Sequence, residues 1–257
     1  MPKSGQYLID STPFRIGVNY WPQRSGPDFL QSFDIDEVHE DFSMLSELGV
    51  NFARVSLNWQ YFLADPDHLR CSALAHLLEL CDAAASEGVK LELLLFSVPL
   101  GVSNAFPRWL CDGLEQTNTT GEACPNGVVQ ALSNPVAQRA AAKLVRGVAR
   151  SVGSHQAIWA YNLGDCPFGV VPPSHQAVAR TWLDKLSAEL RAEDNRHPVT
   201  CSLTGSALLS SNAIRIDQVS SAFDHSTIDY QGIASDIHAP ESERVAAFSC
   251  ALTVALA

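Results

Sequence analysis

The chain has 257 residues, 46% of them hydrophobic and only 18% charged, enough to bury a large core. A net charge of -11 and a pI near 5.1 exclude the clustered Lys and Arg that a nucleic-acid or anionic-membrane surface requires. The opening residues MPKSGQYLIDSTPF carry no apolar signal-peptide core, and no apolar run approaches the roughly 20 residues that cross a bilayer, so a cytoplasmic location is expected.

Residues 1–13 are read as an N-terminal extension, after which strand-like and helix-like segments alternate. The first unit is FRIGVNYWP followed by FDIDEVHEDFSMLSELGV. Asp34 is placed to cap its helix with Glu37 three residues on, Val38, Phe42, Leu45 and Leu48 share one face, and Gly49 closes it. The second unit is a strand from Asn51 to Trp59 and then SALAHLLELCDAAASEG, with Leu74, Leu77, Leu78 and Cys81 as the apolar stripe and Gly88 as the stop. The third strand, KLELLLFS, is nearly all apolar, as expected of a parallel strand covered on both faces.

The long stretch from Val98 to Ser133 exceeds an ordinary connection and is expected to belong to the functional rim. Pro135, after Asn134, opens a helix through about Val152. The fourth strand runs apolar from Ile158 to Leu163, breaks at Gly164 and delivers the polar pair Asp165 and Cys166 to the edge of the sheet. A helix from Ser174 to about Arg191 turns Val178, Trp182, Leu186 and Leu190 inward. Then come a fifth strand, PVTCSLTG, an irregular or helical piece from Ala207 to Phe223, a sixth strand, STIDYQGIA, and the apolar helix ESERVAAFSCALTVALA.

About six β/α units on a parallel sheet fit either a doubly wound open sheet or a (β/α)8 barrel. The first strand is followed by GVNYWPQRSG, aromatic where a nucleotide-binding fold carries a Gly-rich phosphate loop, so the barrel is preferred. The expected fold is an incomplete (β/α)8 TIM barrel over residues 14–257. Seven cysteines without CxxC spacing, and histidines in no HxH or HExxH pattern, give no metal site, and no cofactor is expected.

GVNYW at the end of strand one, ARVSLNW on strand two, AIWAYNLG followed by two polar residues on strand four, and RHPVTCSLTG at strand five resemble the retaining β-glycosidases of clan A, the cellulase-like and β-galactosidase-like barrels. The resemblance implies a glycoside hydrolase whose fourth strand ends in Asn-Glu, with the Glu as general acid and base. Retaining hydrolysis needs two carboxyls about 5 Å apart, one to protonate the leaving oxygen and one to attack the anomeric carbon. On this sequence Asp165 falls on the Asn and Cys166 on the Glu. A thiol, with an unperturbed pKa of about 8.5 and weak hydrogen bonding, suits that role poorly. Asp165 could replace it only through local twist or a one-residue register slip, because neighbours on a strand face opposite sides.

The family's sixth-strand His and Tyr fall on Ala234 and Asp236 if Asp229 starts the pattern, or on Asp229 and Gln231 if Asp224 does. The nucleophilic Glu belongs to a seventh strand, and no residue here takes that role. The resemblance places Asn19, Tyr20, Trp21, Arg54, Trp59 and Asp165 at a sugar cleft. Trp21 and Trp59 fit barrel-end core equally well. Arg54, in an apolar strand, needs a carboxylate partner, for which Asp165 is a candidate. Carbohydrate is the expected partner, either for hydrolysis, in which this chain alone is expected to be inactive, or for a non-catalytic binding protein. Open sheet edges would also permit a homo-oligomer.

Overall fold

The computed structural model describes residues 16–96, 107, 109, 134–165, 176–204 and 223–229. Among them six strands form one sheet: β1 (Gly17–Tyr20), β2 (Phe52–Ser56), β3 (Lys90–Leu94), β4 (Ile158–Asp165), β5 (Val199–Thr204) and β6 (His225–Asp229). Every neighbouring pair is parallel, and the strands lie in chain order from β1 to β6. A doubly wound sheet reverses its order at a switch point. This sheet never does, which is the winding of a barrel wall, and the expected fold class is therefore the observed one. Among the described residues β1 and β6 are the end strands.

Among the described residues there are five helices: α1 (Ile35–Glu47), the single-turn α2 (Trp59–Phe62), α3 (Cys71–Ser86), α4 (Pro135–Val152) and α5 (Gln176–Glu193). Asp34 caps α1 as expected, its side chain accepting from the Asp36 and Glu37 amides. Glu37 turns away from the cap to bind the loop after β1, accepting from Arg24 N at 2.7 Å and Ser25 Oγ at 2.6 Å. Those bonds hold the Glu37 carboxyl below the usual range, the one from Ser25 most strongly. Asn134 caps α4 at the amides of Val136 and Ala137, with Pro135 as the first helical residue.

Several sequence expectations need correction. β2 ends at Ser56 rather than Trp59, because the Asn58 side chain accepts from Tyr61 N and starts α2. Leu48 is 72% exposed, since it is the C-cap of α1 and lies beyond the face carrying Val38 and Phe42. Leu78 is 40% exposed, and the buried stripe of α3 instead joins Leu77 and Cys81 to Ala73, Leu80 and Ala84. Of the sixth strand, His225–Asp229 is described; the rest, the helical piece from Ala207 and the last apolar helix lie outside the described residues, as does nearly all of Val98 to Ser133.

The alternation along each strand divides the barrel into an outer and an inner layer. Ala53, Val55, Leu91, Leu93, Tyr161, Val199 and Cys201 are buried in the main apolar core with Phe42, Leu77, Leu144, Val148, Leu183 and Leu186 from the helices. The opposite parity, Phe52, Arg54, Lys90, Glu92, Asn162, Thr200 and Ser202, lines the inside. At its floor Phe52 meets Trp159 edge-on with ring centroids 4.9 Å apart. Gly17 leaves room for that ring, because a Cβ there would lie 2.0 Å from Phe52 Cδ1.

Candidate functional site

The floor is filled by rings, so the opening of the inside lies at the C-terminal ends of the strands, the end at which barrels of this kind carry their chemistry. Four side chains from four successive strands meet there. Arg54 on β2 lies 3.2 Å from the Glu92 carboxylate on β3 and donates to Ser202 Oγ on β5 at 2.6 Å. Asn162 on β4 donates from Nδ2 to Glu92 Oε1 and to Ser202 Oγ, both at 2.7 Å. Its Oδ1 accepts from Gly164 N at 3.0 Å. Glu92, Asn162 and Ser202 are buried, whereas the Arg54 side chain keeps 16% of its surface. A charge taken this far out of water is tolerated only when paired, and Glu92 supplies the pairing.

Sequence reasoning offered Asp165 as a candidate partner of Arg54; the Asp165 side chain lies outside the described ones. Among the described side chains the carboxylate on Arg54 is Glu92, because β2 and β3 pair in register with Arg54 directly beside Glu92. Glu92, Asn162 and Ser202 were not singled out from the sequence. A signal was there for Asn162, a polar residue inside the otherwise apolar run from Ile158 to Leu163.

The expected sugar contacts divide by parity. Asn19, beside Arg54 in the β1–β2 pairing, is exposed on the inner face. Tyr20, one residue on, is buried between β1 and α1: its ring packs on Phe29 and Phe42 and its hydroxyl donates to Asp41 at 3.1 Å. Burial, with the neighbouring Asp41 carboxylate, raises the Tyr20 hydroxyl above its usual range. Tyr20 is thus a packing residue on the helix side of the sheet. Trp21 follows it and is 43% exposed.

Trp59 is 4% exposed at the start of α2 and meets Phe96 and Trp109 edge-on, while Phe96 meets Trp182. Of the two readings open for Trp59, core and sugar platform, its burial favours core. Trp109 ties this cluster to the end of α2 by donating to Leu63 O at 2.9 Å.

Asp165 is the last residue of β4, and its backbone pairs with Ser202. Cys166 lies outside the described residues, as do Gln231, Ala234 and Asp236. Among the described residues no group of three or more His, Cys, Asp or Glu side chains is placed to hold a metal ion, and no helix is long and apolar enough to cross a membrane.

No family model matches the chain, and no curated protein does. Solved structures do match. A variant of GH5_18 from Bifidobacterium longum subsp. longum, in complex with Manb1-4GlcNAc, is 19% identical with a TM-score of 0.77, over 94% of this chain and 56% of that one. A variant of GH5_18 from Streptomyces cattleya, also in complex with Manb1-4GlcNAc, is 18% identical with a TM-score of 0.70, over 83% and 51%. The exo-beta-1,4-mannosidase Op5Man5 from Opitutaceae bacterium strain TAV5 is 19% identical with a TM-score of 0.64, over 78% and 34%. The chain spans about half the length of the first two. Its fold is that of the cellulase-like GH5 glycoside hydrolase barrels.

Proposed function

We propose that this chain forms the carbohydrate-binding part of a glycosidase-type barrel, takes a β-linked oligosaccharide at the C-terminal ends of its strands, and does not cleave it by itself. The observation that carries this reading is Arg54, fixed inside the barrel by Glu92, Asn162 and Ser202. A polar network so held is ordered before a ligand arrives, so a polyhydroxylated ligand that meets it costs little side-chain freedom on binding. Trp21 adds an exposed ring and Asn19 an exposed amide at the same end of β1. Because two of the structural neighbours hold Manb1-4GlcNAc, that disaccharide is the first ligand to try.

The absence of hydrolysis follows from the thiol at position 166, where the resemblance calls for a carboxyl. Retaining cleavage uses a proton donor that becomes a base within one turnover, and a thiol donates poorly to a glycosidic oxygen. Among the described residues β1 and β6 are the end strands, the edges through which copies of the chain could associate. Calorimetry with Manb1-4GlcNAc, cellobiose and lactose, followed by chromatography of the same mixtures, tests the reading. Saturable binding of at least one disaccharide with no monosaccharide released is expected. No binding of any of the three sinks the binding claim, and steady release of monosaccharide sinks the claim that the chain does not cleave.

A further inference from the structure

Large apolar side chains are not scattered evenly over the surface. Leu48, Met44 and Ile16 are the most exposed of them among the described residues, at 72%, 60% and 56%. Met44 and Leu48 stand one turn apart on the same side of α1, at its C-terminal end. Ile16 precedes β1, and its carbonyl accepts from Asn51 N, three residues beyond Leu48. The three are thus gathered beside β1, at the end of the barrel opposite the C-terminal ends of the strands.

The fold and the charge around this patch limit what fits it. β1 is an end strand, and α1 packs on α3 along one flank, leaving Met44 and Leu48 on the flank that α3 does not cover. The sheet never reverses its order, so what would continue it past β1 is a strand with its helix in the outer layer, and that helix would fall on this flank. α1 carries Asp36, Glu37, Glu40, Asp41 and Glu47 and no Lys or Arg. Arg24 offsets part of this, lying 3.3 Å from Glu37 and 3.4 Å from Glu40. The last turn holds no basic residue, although its carbonyls concentrate negative potential there and Glu47, three residues from Met44, is exposed. A second copy laid α1 against α1 would set like charges together, and an anionic lipid surface would meet the same repulsion.

We propose that Met44 and Leu48, with Ile16 beside them, form a docking surface for a basic amphipathic helix of another protein. Two apolar side chains one turn apart on that helix cover Met44 and Leu48, and its Lys or Arg residues meet Glu40 and Glu47. The apolar pair supplies affinity, while the carboxylates set orientation and reject acidic helices. A helix docked there leaves the C-terminal ends of the strands open.

Fluorescence anisotropy on the full chain tests this with a labelled helical peptide that has Leu on one face and Lys on the other, and with the same peptide carrying Glu for Lys. Saturable binding of the Lys peptide and none of the Glu peptide is expected. Met44→Ser combined with Leu48→Ser keeps the charge of the chain and is expected to weaken binding by about tenfold, the equivalent of one buried apolar side chain. Glu47→Gln is expected to weaken it by about threefold at low salt, with the difference fading as salt rises. All three side chains are exposed, so thermal melts of these variants are expected to match wild type. Should the double variant fold poorly, Leu48→Ala decides the same question at the most exposed position. Leu78→Ser, at an exposed apolar residue of α3, is expected to leave binding unchanged. Undiminished affinity of the Lys peptide for whichever of the Met44 and Leu48 variants folds overturns the proposal, because net charge alone would then hold the peptide. Equal binding of the Glu peptide, or no binding of the Lys peptide, overturns it as well.

Discussion

Arg54 on β2 and Glu92 on β3 form an ion pair inside the barrel, 3.2 Å apart and side by side in the sheet register. Removing one member of such a pair takes an adjacent opposite charge from a group held out of water, whereas replacing both with apolar groups removes the penalty together with the attraction. Glu92→Leu is therefore expected to lower stability by about 3–5 kcal/mol, and Arg54→Met combined with Glu92→Leu by clearly less than the sum of the single losses. Urea midpoints of the two single variants and the double variant check this; simple additivity would mean that the pair contributes no coupling.

Tyr20 and Trp21 are consecutive, yet their environments assign them opposite effects. Tyr20→Phe removes a hydroxyl that donates to Asp41 under a packed ring, and is expected to cost about 1–2 kcal/mol of stability without changing sugar affinity. Trp21→Ala removes an exposed ring and is expected to weaken sugar binding with little change in the melting temperature. Thermal melts and calorimetry on both variants test the pair of outcomes, and an exchange of the two effects would contradict the assignment.

A second buried carboxylate makes stability depend on pH. Asp194, in the turn between α5 and β5, accepts from Tyr161 Oη at 3.1 Å and Arg196 N at 3.0 Å, and its Oδ2 lies 2.7 Å from His197 Nδ1. Burial pushes this carboxyl up, but the contacts with His197, Arg196 and Tyr161 outweigh it and leave it below its usual value. With the folded pKa depressed, the stabilisation is fully present above the unfolded value of about 3.9 and is lost as pH falls through the folded pKa. Asp194→Asn is expected to cost about 2 kcal/mol near neutral pH, with the gap from wild type narrowing below about pH 4. Urea midpoints at pH 7 and pH 3 decide it; a gap that is constant or wider in acid would contradict the linkage.

The floor of the barrel predicts a compensating pair. Gly17→Ala places a methyl group where Phe52 Cδ1 now lies, and Phe52 is itself held against Trp159. A loss of about 1–3 kcal/mol is expected, reduced when Phe52 is shortened to Leu in the same chain. A double-mutant cycle on denaturation midpoints measures the relief, and a cycle with no coupling would mean that the two residues do not compete for the same space.

Local patterns carried most of the fold. The caps at Asp34 and Asn134, the stop at Gly88 with its φ of +71°, and the apolar stripe of Trp182, Leu186 and Leu190 are properties of short segments, and so were legible in the chain. The barrel winding followed from the alternation of strands and helices, together with aromatics where a phosphate loop would stand. The motif that pointed to glycosidases lies on strand ends, which a sequence displays directly.

The inner network was not legible in this way, because it is made between strands. Glu92 reads as one charge in KLELLLFS, and only the register of β2 against β3 sets it beside Arg54. The burial of Trp59 depends on Phe96 and Trp109, 37 and 50 residues further along the chain. The place of Asp165 is the clearest case. A strand read by its period of two sets Gly164 beside Ser202, yet the register shift between Asn162 and Asp165 gives that place in the ladder to the Asp165 backbone. Asn162, where that shift begins, bonds to Glu92 and Ser202 on the neighbouring strands. Periodicity is local and fixes which segments become strands. Register is a long-range hydrogen-bonding outcome, and it decided which residues of those strands share the inside of the barrel.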